Sequence, residues 1–196
     1  MSTSLGPGFF ARSVHEVARD LVGCTLTHGD CGGVIVETES YERDDPACHA
    51  YVGPTARNKV LFGPPGRAYV YLSYGIHSLL NAVAEPEGQA AAVLIRALQP
   101  TIGVAKMRRR RGRRHEEELC SGPGKLTEAL AVGLHDNGAS LCAAPFAVFA
   151  REGRWAEVDI AVGPRIGISK AADRPWRFCA AGSRFVSRPW PVDLAA

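Results

Sequence analysis

The chain has 196 residues, 46% of them apolar and 22% charged, with a formal net charge of +3. This is the composition of an ordinary globular protein; no apolar run in it has the length of a membrane span, and the size suffices for a sizeable core without disulfide staples. One domain over residues 1–196 is expected.

The start, MSTSLGPGFFARS, lacks the basic opening and continuous apolar stretch of a secretory signal, so a cytoplasmic protein is expected. Cys24, Cys31, Cys48, Cys120, Cys142 and Cys179 form no C-x-x-C pair or Cys/His quartet, which predicts reduced thiols and no metal site.

The first clear element is SVHEVARDLVG. Ser13 is read as its cap, Glu16 as completing a capping box and Gly23 as its stop, with Val14, Val17, Ala18, Leu21 and Val22 on one face. Strands are predicted at about 24–28, 33–41, 67–73, 78–84 and 91–98. In the second of these, Ile35, Glu37, Glu39 and Tyr41 should share one face and Val34, Val36, Thr38 and Ser40 the other, aiming two carboxylates at the same surface as an aromatic ring. Glu37 is assigned to structure, paired with a neighbouring basic group.

In RAYVYLSYGIHSLLN, Tyr69 and Tyr71 share a strand face, and Tyr74 stands just before the turn at Gly75, where its side chain should project from the body. Arg96 emerges from the apolar strand AAAVLIRALQP, and a charge there calls for a carboxylate partner. Glu39, Tyr41, His49 and Tyr71 together are the equipment of a pocket for a flat, cationic ring.

A helix is predicted from near Thr101, another through GKLTEALAV with Gly133 as its stop, and strands in FAVFARE, VDIAVGPRIGIS and WRFCAAG. The sum is an α+β fold around a curved, largely antiparallel sheet flanked by helices. Seven basic residues crowd into positions 106–114, leaving 16 basic against 20 acidic groups elsewhere. That cluster is either a solvated loop, with residues 115–118 (HEEE) as local partners, or a phosphate-binding patch.

IVETESY, the following His49, ARNKVLFGPPGRAYVYLSYGIHSLLN, VLIRALQP and LCSGPGKLTEAL resemble, in that order, the alkyladenine (3-methyladenine, methylpurine) DNA glycosylase family. The resemblance implies an enzyme that flips a damaged purine nucleotide out of duplex DNA and hydrolyses its N-glycosidic bond. By the same resemblance Glu39 is the general base for the attacking water and Arg96 helps to hold both. Tyr41, His49 and Tyr71 line the base pocket, Asn81 hinders undamaged guanine, and Tyr74 is the wedge in the minor groove. Arg57, Lys59, Arg108, Arg109 and Lys125 are assigned to the DNA backbone. Two departures, Leu61 for methionine and Gln99 for glutamate, remove no catalytic atom, and Tyr41 to His49 is one residue shorter than in mammalian members. The partner expected is double-stranded DNA containing a damaged purine, acted on by a nucleoid-associated monomer without cofactor, membrane or obligate protein partner. The alternative is a module that binds distorted nucleic acid without cutting it, against which Glu39 and Arg96 count. A small-molecule transferase would need a nucleotide-phosphate loop, which the sequence lacks.

Overall fold

The computed structural model describes residues 3–190. A short helix α1 (Pro7–Phe10), unmarked in the sequence reading, precedes α2 (Val14–Leu21). Strands β1 (Thr25–His28) and β2 (Cys31–Tyr41) follow, then β3 (Ala68–Ser73), β4 (His77–Ala84) and the long β5 (Ala91–Ile102). Helices α3 (Val104–Arg111) and α4 (Pro123–Leu130) lead into the short strands β6 (Phe146–Phe149), β7 (Ile160–Gly163) and β8 (Arg177–Ala180).

All strand pairings are antiparallel, in the order β3-β4-β5-β2-β1-β6, with β8 pairing to the far half of β2 and β7 to β8. The result is a curled α+β sheet, as the pattern of elements predicts. Around Glu37 and Glu39, β2 is held by β5 on one side and β8 on the other, so the backbone that carries both carboxylates is hydrogen-bonded along both edges.

Alternation sorts the side chains into two clusters. Ala68 and Val70 of β3, Leu80, Ala82 and Ala84 of β4, and Ala91, Val93, Ile95 and Ala97 of β5 join the apolar faces of α2 and α4 in the main core. Tyr69, Val83 and Ala92 point the other way and pack with Cys48, Ala50 and Leu61, with Tyr41 and Tyr71 against them. The second face carries the candidate site.

Several expectations need correction. Ile35 does not share the face of Glu37: β2 and β5 slip in register between Ile35 and Glu37 and again between Glu37 and Thr38, and both Ile35 and Val36 enter the main core. A bulge is the physical reason, since one unpaired residue resets the alternation. Ser13 does sit at the helix start but makes no side-chain cap. The carboxylate of Glu85 accepts from Val14 N–H instead, at 3.2 Å, so a distant residue does the work of the local box. The helix expected near Thr101 starts at Val104, because β5 runs on to Ile102 and Gly103 turns the chain at φ 68°. Helix α4 stops at Ala131, itself left-handed at φ 59°, two residues before Gly133. Of VDIAVGPRIGIS only residues 160–163 stay in the sheet; Pro164 lacks the N–H to continue a ladder, and the chain peels away toward Glu39.

Most of the arginine cluster is helical, and only Arg113 and Arg114, past the helix end, lie in irregular chain. Arg108, Arg109, Arg110 and Arg111 fill the last turn of α3, where positive charge complements the helix dipole, and Gly112 closes it at φ 60°.

Candidate active site

At the bulge of β2 a buried ionic network forms. Glu37, Glu39, Arg96 and Arg177 are all at least 94% buried. Glu37 accepts from Arg96 Nε at 2.9 Å, Arg177 Nε at 2.7 Å, Ser187 N–H at 2.7 Å and Ser187 Oγ at 2.8 Å. It is the structural carboxylate, paired as the sequence reading assigned it. Arg96 turns its other edge to Glu39, Nη1 to Oε2 at 3.3 Å. Glu39 Oε2 also accepts from the Tyr41 hydroxyl at 2.7 Å, and Oε1 accepts from Ile166 N–H at 2.8 Å.

This environment sets the ionisation of Glu39. Burial pushes its pKa above the ordinary carboxylate range, while Arg96, Ile166 N–H and Tyr41 pull the other way without cancelling the shift. Burial and the neighbouring carboxylate hold the Tyr41 phenol well above its ordinary value, so it stays a hydrogen-bond donor. Burial opposes the charge on Arg96, but Glu39 and Glu37 outweigh it and keep the guanidinium ionised.

Tyr41 forms the boundary between this network and open space. A cleft of about 300 Å³ is lined by Tyr41, His49, Arg57, Tyr71, Tyr74 and Asn81 among others. Tyr69 and Tyr71 stack at 5.5 Å between ring centroids, and the His49 ring meets Tyr71 edge-on at 4.5 Å. His49 Nδ1 lies 2.9 Å from the Tyr69 hydroxyl, and burial with the nearby Arg57 lowers its pKa, favouring a neutral ring. Burial raises the phenols of Tyr69 and Tyr71 to about 12. Asn81, 96% buried, donates to Tyr69 O at 3.1 Å. A second cleft of about 520 Å³ continues past Tyr41, Tyr71 and Tyr74 to Arg96, Lys125 and Arg111.

Tyr74 stands at the rim on the β3–β4 hairpin, 90% exposed. Tyr74 and Gly75 both have positive φ, 51° and 73°, and Ile76 N–H bonds back to Ser73 O at 3.2 Å, the pattern of a primed hairpin turn. The basic residues assigned to DNA divide. Arg57, over the Tyr71 ring at 5.9 Å, and Lys125 edge the clefts. Lys59 and Arg109 are exposed, and Arg108 is held by Glu116 at 2.8 Å. Arg110, also exposed, donates to Ala129 O at 2.7 Å, and Arg111 pairs with Glu128.

The methylpurine-DNA glycosylase model matches residues 8–184. The chain belongs to the methylpurine-DNA glycosylase family. Similar proteins in bacteria carry 3-methyladenine DNA glycosylase in their names. One from Rhodopseudomonas palustris strain CGA009 is 59% identical over 96% of this chain and 92% of its own length. Another from Nitrobacter winogradskyi is 56% identical, covering 93% of this chain and 86% of its own, and one from Nitrosospira multiformis is 52% identical over 92% of both. Every glycosylase site residue named from the sequence lies within the matched stretch, whereas Ser187, which closes over Glu37, lies beyond it.

Sequence reasoning missed four participants. Tyr69 was recognised as sharing a face with Tyr71 but not as the partner of His49. Ile166 acts through its backbone N–H, a group every non-proline residue has, so residue type carries no signal. Asp45 and Arg165, a fully buried pair, come from segments 120 positions apart. Pro164 and Gly167, flanking Arg165 and Ile166, were the one visible hint that the chain leaves the sheet there.

Proposed function

We propose that Glu39 activates a water that displaces an alkylated purine from a nucleotide flipped into the aromatic cleft. The family is that of monofunctional DNA glycosylases that repair alkylated bases, and this chain is one of them. The observation that carries the catalytic detail is the position of Glu39: fully buried, its oxygens held by Tyr41, Arg96 and Ile166, directly behind the ring that walls the cleft.

The chemistry follows from that geometry. Low solvent access makes a carboxylate a stronger base, and a water admitted beside Tyr41 and Arg96 would give its proton to Glu39 as it attacks the anomeric carbon. Arg96 keeps the carboxylate fixed through the transfer. The purine leaves on the face opposite the water, carrying the electron pair of the glycosidic bond, and an alkylated cationic base does so readily. Tyr41, His49 and Tyr71 offer ring faces and edges that suit a flat cation, and Asn81 crowds the exocyclic amino group of guanine. Tyr74 fills the gap left in the duplex, while Arg57, Lys59, Arg108, Arg109 and Lys125 meet phosphates. The chain works as one domain and as a monomer, since one flipped nucleotide needs one site, in the cytoplasm on nucleoid DNA. Among the described residues no helix is long and apolar enough to cross a membrane.

The test is single-turnover base release from duplexes carrying a methylated purine, hypoxanthine or ethenoadenine, with undamaged DNA as control. Release followed by strand breakage only after alkali is expected. Tight lesion binding without release would make the protein a recognition module.

A further inference from the structure

Behind Tyr41, on the side away from the clefts, lies a charged pair that the proposed chemistry does not use. The side chains of Asp45 and Arg165 are both completely buried and paired with each other. The Arg165 guanidinium lies over the Tyr41 ring, 4.5 Å from its centroid, and over Trp176 at 4.9 Å. Its amino groups also donate to Ser40 O at 3.1 Å and Ala171 O at 3.2 Å. Neither Arg165 nor Asp45 lines either cleft, whereas Tyr41 lines both. One face of Tyr41 is therefore taken by a cation, and the other is offered to whatever enters.

We infer that Asp45 and Arg165 set the charge selectivity of the cleft. An aromatic face attracts a cation through its quadrupole, but a second cation on the opposite face repels the first through the thickness of the ring. An uncompensated Arg165 would disfavour a positively charged purine on Tyr41 and leave a neutral one nearly unaffected. Asp45 cancels that field from the buried side, so the exposed face remains a host for cationic rings. Burial matters here, because solvent does not screen the pair and removal of either charge is felt at the ring. Asp45 also accepts from Ala47 N–H at 3.1 Å, and Ile166, next to Arg165, holds Glu39; a merely structural effect of either residue would therefore slow all substrates together.

This inference rests on the glycosylase reading, and the experiment separates the two. Single-turnover release is measured from duplexes carrying 7-methylguanine, a cation, and hypoxanthine, a neutral base, with the unmodified protein and the variants Asp45→Asn and Arg165→Gln. The ratio of the two rates within one preparation does not depend on how much of it is folded. Asp45→Asn should lower the 7-methylguanine to hypoxanthine ratio about tenfold, and Arg165→Gln should raise it. If either single variant fails to fold, the double variant, which buries no charge, should keep the ratio within about threefold of the unmodified protein. Equal factors on both substrates in the single variants, or a displaced ratio in the double one, would overturn the inference alone. No release of either base by the unmodified protein would overturn the glycosylase reading and this inference with it.

Discussion

The role proposed for Glu39 puts it under a tension that two measurements can read. A general base must be ionised, yet burial raises the pKa of this one, so base release should fall as pH drops through a value above the ordinary carboxylate range of about 4.3. Replacing it with glutamine keeps an acceptor oxygen but removes the basicity, and release should slow by at least about a hundredfold while lesion binding persists. The linkage to stability has a definite sign. A carboxyl whose pKa is raised in the fold contributes stability that is complete below the unfolded value and is lost as pH rises through the folded one. The Tm of Glu39→Gln relative to the unmodified protein should therefore rise as pH climbs from the unfolded value of about 4.3 through the raised folded one. A difference that stays flat with pH would mean that Glu39 is not the perturbed group.

At the scale of elements, the β3–β4 hairpin carries strain. A tyrosine at φ 51° occupies a turn position that favours asparagine or glycine, and the conformation costs about 1 kcal/mol in a residue with a Cβ. Tyr74→Asn should therefore raise stability by about 0.5–1 kcal/mol and at the same time weaken base release, because the rigid exposed ring is lost. Urea unfolding and single-turnover kinetics on the same variant decide it; reduced stability would show that the ring packs on its own hairpin.

Helix α3 calls for a finer dissection than its composition suggests. Arg110 and Arg111 are tied to α4, so within α3 it is Arg109 and the partly engaged Arg108 that are free to meet phosphate, with the exposed Arg113 and Arg114 just beyond the helix. Arg109→Ser should reduce the slope of log affinity against log salt by about one, uniformly across sequences. Arg110→Ala should instead cost stability, about 1–3 kcal/mol, by stranding Ala129 O. An unchanged salt slope for Arg109→Ser would remove Arg109 from the DNA-contacting set.

The same elements show what the sequence made legible. Periodicity located α2, and the five strands up to β5 stood out as apolar, β-branched and aromatic runs bounded by turn residues, because β2 and β5 are buried along most of their length and carry continuous apolar stretches. It misjudged the face of Ile35, since a bulge inserts a residue without any compositional mark, and it assigned a cap to Ser13 that Glu85 supplies from 71 residues away. Residue chemistry brought forward Glu39, Tyr41, His49, Tyr71, Tyr74 and Arg96, and motif resemblance supplied their roles and added Asn81; the fold gathers them around one wall. The backbone donor at Ile166 and the pair behind Tyr41 depend on chain segments meeting in space, and no local pattern encodes that.

For the molecule as a whole, the site is where distant parts of the chain are fastened together. Strands β2, β5 and β8 and the segment after Phe185 converge on Glu37, and through Arg96 on Glu39. Folding and the proposed catalysis thus share one buried network, and a change made to its structural end should be felt at its chemical end. Ser187 gives the cleanest case. Its hydroxyl donates to Glu37 and lies 3.4 Å from Arg96 Nη2, yet it touches neither cleft. Ser187→Ala should cost about 1–3 kcal/mol and also slow base release, because Arg96 loses one of the partners that fix it against Glu39. Ile95→Val, in the main core behind the same strand, should cost about 0.5–1.5 kcal/mol and leave the single-turnover rate unchanged. If both variants lose stability and both keep the full rate, the network is a fastening only, and Arg96 holds its place without help from the C-terminal segment.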